Sequence, residues 1–526
     1  MKFDYIIVGA GTAGCVLANR LTENPQTTVL LLEAGKADNK AEIHIPLAFS
    51  KLFKTEYDWN YQTEPHAHLN GKSYYWPRGK TLGGSSSINA MIVIRGSRQV
   101  YDKWAQLGNT GWDFISMLPY FKKLEDHVLG ASEYHGAGGP QRIENLRSPN
   151  PISHAFVMAC QQYGIMPISD FNRATPEGAS FLHVNQKNGM RFSAASAYLK
   201  PILTRPNLTI MTEAQVSKIT FEGKRASGVT FWHDMGMKTF YAHREVLLCG
   251  GAINSPQLLL LSGVGQRQAL SALGIPLVAE VEGVGHNLQD HLAIGTNFAS
   301  RLPISLIRGE SVTGLANFVT RRQGALTSNV AEAGAFLKTQ PNLAYEDLQL
   351  LFAPTYFVDN GFTRPAGHGF TLGVINVMPH STGYLRLRTS DPNTHPIIQP
   401  NYLTDERDWQ VMLYGLTLTR KLAQMPAFDL YRGAETMPGT EILDDSSAMR
   451  DYIAEWSQTL YHPVGTCKMA PAHDPLGVVD EQLRVRGVQG LRVVDASVFP
   501  IIPNGNTNTP TMALAERAAD LIKQAI

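Results

Sequence analysis

Short, unbroken apolar runs separated by glycine turns open this chain: DYIIV at 4–8, glycines through position 14, CVLANRL at 15–21 and TTVLLL at 27–32. Runs apolar on both faces and bounded by turn residues read as buried strands, and the segment between them has helical spacing. A strand, helix, strand unit is predicted there. The stretch VLLCGGAINSPQLLLLSGVG at 246–265 repeats the theme as a strand ending in glycines, with Ser255 and Pro256 opening a helix because proline suits the first turn. The segment 490–522 reads as a strand, a polar turn and an amphipathic helix. Between these, GFTLGVINVMPHSTGYLRLRTSD at 369–391 alternates as sheet strands do. The stripes GLTLTRKLAQ at 415–424 and MALAERAADLI at 512–522 have the spacing of core-facing helices.

A chain of 526 residues exceeds what one hydrophobic core supports, which predicts two closely packed domains. With 44% apolar residues, 17% charged residues and a net charge of +1, the composition is that of a globular protein with ample core material. Lysine and arginine are scattered, which excludes an electrostatic footprint for nucleic acid and favours a small-molecule substrate. Cys15, Cys160, Cys249 and Cys467 lack metal or disulfide-scaffold spacing and read as reduced, packed residues. Glycines interrupt the N-terminal apolar run before a signal peptide is complete, and 246–266 carries too many breaks to span a bilayer. A cytoplasmic protein without a transmembrane helix is the expectation.

Chemistry enters with Gly9, Gly11 and Gly14, which complete GxGxxG where the first strand ends and the helix begins. Glu33 follows at the end of the second strand, 33 − 14 = 19 residues on. Glycines let a backbone approach a pyrophosphate, the helix N-terminus offers unpaired N–H groups, and the carboxylate accepts ribose hydroxyls. An adenine dinucleotide follows, NAD or FAD. Three further segments carry small or reactive residues: WPRGKTLGGSSSINAMIVIRG at 76–96, GAINSPQLLLLSGVG at 251–265 and YHPVGTC at 461–467. His66 and His68 form an HxH pair without a third ligand, so no metal is expected.

Those segments, in that order, resemble the signatures of the glucose-methanol-choline (GMC) oxidoreductases over essentially the whole chain. Within that family, WPRGKTLGGSSSINAM and TLYHPVGTC are most similar to choline-dehydrogenase-like and aliphatic alcohol dehydrogenases. The resemblance implies an α/β, Rossmann-like FAD-binding domain and an α+β substrate domain built on an antiparallel sheet. The boundaries it suggests are 1–155, 195–300 and 456–526 for the first, and 156–194 and 301–455 for the second. FAD contacts would fall on Gly9, Gly11, Thr12, Ala13, Gly14, Glu33, Ala34, Gly83, Gly84, Ser85, Asn89, Val216, Asp495, Ala496, Asn506 and Thr507. Val216 also reads as an ordinary core valine, Asp495 as a helix cap and Asn506 as a turn residue. Ile88 stands where some relatives carry a flavin-linking histidine, so the FAD would be noncovalent.

The resemblance makes His462 the proton acceptor for an alcohol hydroxyl, a role that suits an imidazole with a near-neutral pKa. Asn506 would be its partner, donating a hydrogen bond to the substrate oxygen as charge develops there. Hydride then passes from the carbinol carbon to the flavin's central-ring nitrogen, and a primary alcohol yields an aldehyde. Glu332 and Tyr461 are the candidate substrate-pocket residues, Glu332 as a carboxylate in the position that faces a quaternary ammonium in choline-oxidising relatives. The electron acceptor would be a quinone, which would place the protein peripherally at the inner membrane, or another carrier. Oxygen with peroxide release is the alternative, and a flavin-containing hydroxynitrile-lyase-like activity is another.

Overall fold

The computed structural model describes residues 1–444 and 446–525, and its architecture follows from two large sheets. The first is mixed and seven-stranded, running in the order Leu208–Met211, Val29–Leu32, Lys2–Val8, Gly236–Leu248, Arg225–His233 and Gln215–Glu222, with Leu491–Val493 added beside Gly236–Leu248. Lys2–Val8 is parallel to both its neighbours, with Val8 opposite Leu32 on one side and Leu248 on the other. Helices on its faces bury the YIIV and VLLL runs completely or nearly so, which is why these strands are apolar without alternation. Thr12–Leu21 and the last helix, Asn508–Gln524, pack against each other.

The second sheet also has seven strands, and all its pairings are antiparallel: Arg432–Met437, Leu292–Ser300, Gly369–Asn376, Leu348–Ala353, Ala333–Leu337 and Gly178–Phe181, with Gln458–Thr459 beside Leu292–Ser300. Glu406–Ala423 and Pro151–Tyr163 pack on it. Two differences from the sequence reading concern this sheet. Leu292–Ser300 belongs to it, although a boundary drawn at residue 300 leaves that strand with the nucleotide-binding half. Gly369–Asn376 is buried at every position but one instead of alternating, because the helix covers one face and a cavity wall lies on the other.

The helix after the second glycine cluster also starts earlier than the sequence suggests. It spans Gly251–Leu261, with Pro256 in its interior. A proline there cannot donate to the carbonyl four residues back, that of Ala252. The hydroxyl of buried Thr466 donates to that carbonyl instead, at 2.6 Å, and so ties this helix to the segment carrying His462. Among the described residues, no helix is long and apolar enough to cross a membrane.

Candidate active site

One elongated cavity runs between the first sheet and the second. Gly9, Gly11, Thr12, Ala13, Glu33, Ala34, Gly84, Ser85, Asn89, Val216, Asp495, Ala496, Asn506, Thr507, Tyr461 and His462 all line it. Three of the sequence candidates do not. Gly14 sits beneath the loop, where an added Cβ would lie 1.9 Å from the Gly9 carbonyl oxygen, so its place is the close packing of helix on strand. Gly83 holds two loops together, its N–H donating to the Ala10 carbonyl at 2.8 Å.

Glu332 is the third, and it is a correction to the substrate-pocket expectation. Its neighbours Val330 and Ala331 line the cavity, but its own side chain is fully buried elsewhere. The carboxylate accepts hydrogen bonds from the Asn150 N–H and the Ser153 hydroxyl, both at 2.7 Å, and from the Ser328 hydroxyl at 2.6 Å. It thereby sits at the N-terminus of Pro151–Tyr163, where the helix dipole favours a negative charge.

The nucleotide end of the cavity is built for an anion. First-turn residues of Thr12–Leu21, Gly251–Leu261 and Asn508–Gln524 all face it, which directs three helix N-termini into one space. The loops carrying Gly11 and Gly84 come so close that a Cβ at Gly84 would lie 2.7 Å from the Gly11 Cα. Glu33 accepts from the backbone N–H groups of Ala10 and Gly35, each at 2.9 Å, and retains acceptor capacity toward the cavity. Burial pushes its carboxyl up to about 7. Asp495 combines two of its readings: it lines the cavity, caps the turn at Ala496–Val498, and accepts from the Ser255 hydroxyl and the Gly251 N–H. Val216 is half-buried at an irregular step in its strand pairing and borders the cavity beside Ala214 and Gln215.

At the other end, His462 Nε2 lies 3.2 Å from Asn506 Nδ2. An amide nitrogen only donates, so in this orientation Nε2 is the acceptor and the imidazole proton sits on Nδ1. There it meets His291 Nδ1 at 2.9 Å. Burial holds the His462 pKa well below the usual value, assisted by His291 and the Arg78 guanidinium. Asn506 Oδ1 is buried and has no hydrogen-bond partner among the described residues. Tyr461 has a left-handed φ of 68°, uncommon for a tyrosine. It is pinned by Thr459, which accepts its N–H at 2.7 Å, and by Arg78, which donates to its carbonyl at 2.5 Å.

Sequence reasoning missed three supporting residues. Asp290 accepts the His462 backbone N–H at 2.7 Å and hydrogen bonds from Thr459 and Tyr402, and burial raises its pKa to about 6. His291 and Arg78 complete the set. The pair Asp290 and His291 lies far from YHPVGTC in sequence, with no local spacing rule to link them. His66 and His68 bond to backbone carbonyls of Lys72 and Tyr402.

The chain as a whole, with a cavity between a dinucleotide-type sheet and an antiparallel sheet, is similar to known proteins in sequence and in fold. Two family models, both described as GMC oxidoreductase, match residues 3–293 and 379–515. The chain belongs to the GMC oxidoreductase family. A GMC relative from Pseudomonas putida, alcohol dehydrogenase [acceptor], is 44% identical, with 99% of this chain and 95% of that one aligned. Human mitochondrial choline dehydrogenase is 42% identical over 99% of this chain and 90% of its own. Among solved structures, pyridoxine 4-oxidase from Mesorbium loti superposes with a TM-score of 0.90 at 31% identity, covering 98% of each chain. Formate oxidase gives a TM-score of 0.92 at 28% identity, covering 100% of this chain and 98% of its own.

Proposed function

We propose that this enzyme oxidises an uncharged, largely apolar primary alcohol to its aldehyde, with His462 as the proton acceptor. As a GMC oxidoreductase it is an FAD-dependent enzyme acting on CH–OH donors. The helix N-termini, touching glycine loops and Glu33 fit FAD, and Ile88, a buried aliphatic residue, supports a noncovalent attachment. FAD, when bound, supplies the two-electron acceptor for the carbinol hydride. The protein's own residues do the rest: His462 Nε2 takes the hydroxyl proton, and the Asn506 amide donates to the oxygen as it becomes anionic. Asp290 and His291 hold the imidazole in place from its backbone and its Nδ1 side.

The observation that carries the reading is the facing pair His462 and Asn506 at the end of a wall formed by Phe53, Ala293, Val330, Leu351, Phe357 and Ile375. With Glu332 turned away, none of the described residues places a buried carboxylate on that wall, and Asp359, which also lines the cavity, is exposed to solvent. A neutral alkyl or aryl alcohol therefore suits the site better than choline. The electron acceptor is proposed to be a quinone or another carrier, in line with the dehydrogenase names of the relatives above 40% identity; peroxide release in air would assign oxygen instead. The test is anaerobic mixing of the FAD-loaded enzyme with a panel of alcohols. Medium-chain or aromatic alcohols should bleach the flavin, with kcat/KM at least roughly tenfold above choline. The His462→Ala protein should bind FAD but reduce it about 10²–10⁴-fold more slowly. Near-normal bleaching in that variant would remove His462 from the mechanism, and no bleaching by any alcohol in the wild type would favour the lyase reading.

A further inference from the structure

Behind the glycine loop at the nucleotide end of the cavity lies a cation without an anion. Arg191, at the end of the short strand Met190–Arg191, is only 3% exposed. Arg95 and Arg492, the other two arginines buried to this degree among the described residues, each pair with a carboxylate, Glu125 at 2.5 Å and Glu245 at 2.7 Å. Arg191 pairs with no described carboxylate and donates to uncharged oxygens instead. Its Nε meets the Ile43 carbonyl at 2.6 Å, and its Nη1 meets the Ser86 carbonyl at 3.1 Å and the Asn89 side chain at 2.8 Å. Its Nη2 is buried with no hydrogen-bond partner among the described residues. Burial lowers its pKa to about 9, which leaves the guanidinium charged at neutral pH. A charge taken out of water without a partner is costly, so one that is retained calls for an anion from outside the chain.

The contacts of Arg191 indicate where that anion belongs. Ser86 and Asn89 are part of the loop 83–89, in which Gly84, Ser85 and Asn89 line the cavity and Gly84 packs against Gly11 of the first glycine turn. A guanidinium and a backbone N–H only donate, so the Asn89 atom that accepts from Arg191, and from the Met91 N–H at 3.0 Å, is its oxygen. The amide nitrogen, with two N–H donors, is left for the cavity. Among the described lining residues Arg78 is the one lysine or arginine, and it donates to the Tyr461 carbonyl at the His462 end. The glycine end therefore has helix N-termini and an amide donor, but no side-chain cation on its own wall.

We propose that Arg191 is the counter-charge of the cofactor's pyrophosphate, a positioning residue that acts from behind the loop. It turns the Asn89 amide nitrogen toward the cavity, and it adds a full positive charge to the partial charges of the helix N-termini. The inference rests on FAD as the cofactor and is independent of which alcohol is oxidised.

The test is release of FAD from the purified holoenzyme on dilution, read as the rise in flavin fluorescence and needing no substrate. Arg191→Gln keeps hydrogen-bond donors but removes the charge, and it should weaken FAD binding about tenfold or more. Arg191→Lys keeps the charge on a group whose pKa burial brings down toward neutrality. Its affinity should approach that of the wild type at about pH 6 and weaken about tenfold by about pH 8, while the wild type stays level over that range. A residue that merely held the Ile43 and Ser86 carbonyls would give no such pH dependence. The pyrophosphate carries the same charge in oxidised and reduced FAD, so Arg191→Gln should leave the flavin's midpoint potential unchanged. An Arg191→Gln protein that holds FAD like the wild type would overturn the proposal, and so would an Arg191→Lys protein whose affinity ignores pH. A lowered midpoint potential with unchanged affinity for oxidised FAD would also overturn it, assigning the cation to the reduced flavin ring. Where Arg191→Gln does not fold, the pH dependence of Arg191→Lys decides alone.

Discussion

At the scale of single residues, the proposed mechanism depends on His462 being neutral. Burial holds its pKa well below 6.5, so Nε2 stays free to accept a proton through mildly acidic solution. The sign follows directly: protonation removes the base, and protonation occurs only at pH values below those of an ordinary histidine. A profile of kcat/KM against pH should therefore run flat through 6.5 and fall only below it; an acid limb centred at or above 6.5 would contradict this account. Asn506 is proposed to have the complementary task. Its replacement by alanine should leave FAD bound and slow flavin reduction by about 10²–10³, read by stopped-flow absorbance, because one preorganised donor to the developing charge is lost. Both residues could be named as candidates from the sequence because each lies within a compact motif, and the structure brings their side chains together. Glu332 was misread for the opposite reason: the direction of its side chain depends on Asn150, Ser153 and Ser328, 182, 179 and 4 residues away.

At the scale of elements, glycines and one proline determine how closely the parts meet. Gly14→Ala would drive a Cβ against the Gly9 carbonyl, backbone against backbone, with neither able to move freely. A cost of about 1–3 kcal/mol or more is expected, seen as a lower melting temperature together with reduced FAD content. Thr466→Val tests the joint at Pro256. The substitution conserves shape but leaves the buried Ala252 carbonyl without its donor, at a cost of about 1–3 kcal/mol in chemical denaturation. The sequence placed Pro256 at the start of the helix, because proline preference is a local rule. The helix instead begins at Gly251, and the Ala252 carbonyl that Pro256 cannot serve takes a hydroxyl supplied 214 residues further on. Continuous apolar runs, by contrast, marked Lys2–Val8 and Val29–Leu32 without ambiguity, since a strand covered on both faces has only one pattern available.

At the scale of the molecule, the cavity lies between two large sheets, but the chain does not divide into two consecutive parts with them. Leu292–Ser300 and Gln458–Thr459 both pair in the second sheet, and the cavity is closed by Asn506 near the end of the last loop. Sequence pattern sees turns and runs; it does not see which sheet a strand joins, as Leu292–Ser300 shows by pairing in the second sheet. The packing of Thr12–Leu21 against Asn508–Gln524 has a consequence for how the enzyme is made. Thr12–Leu21 leaves the ribosome well before Asn508–Gln524 and must wait for that partner to be synthesised. Through that interval the glycine loop lacks one of the three helix N-termini that face the cofactor cavity. Flavin capture therefore waits for Asn508–Gln524, and nascent protein stalled short of residue 506 should emerge colourless.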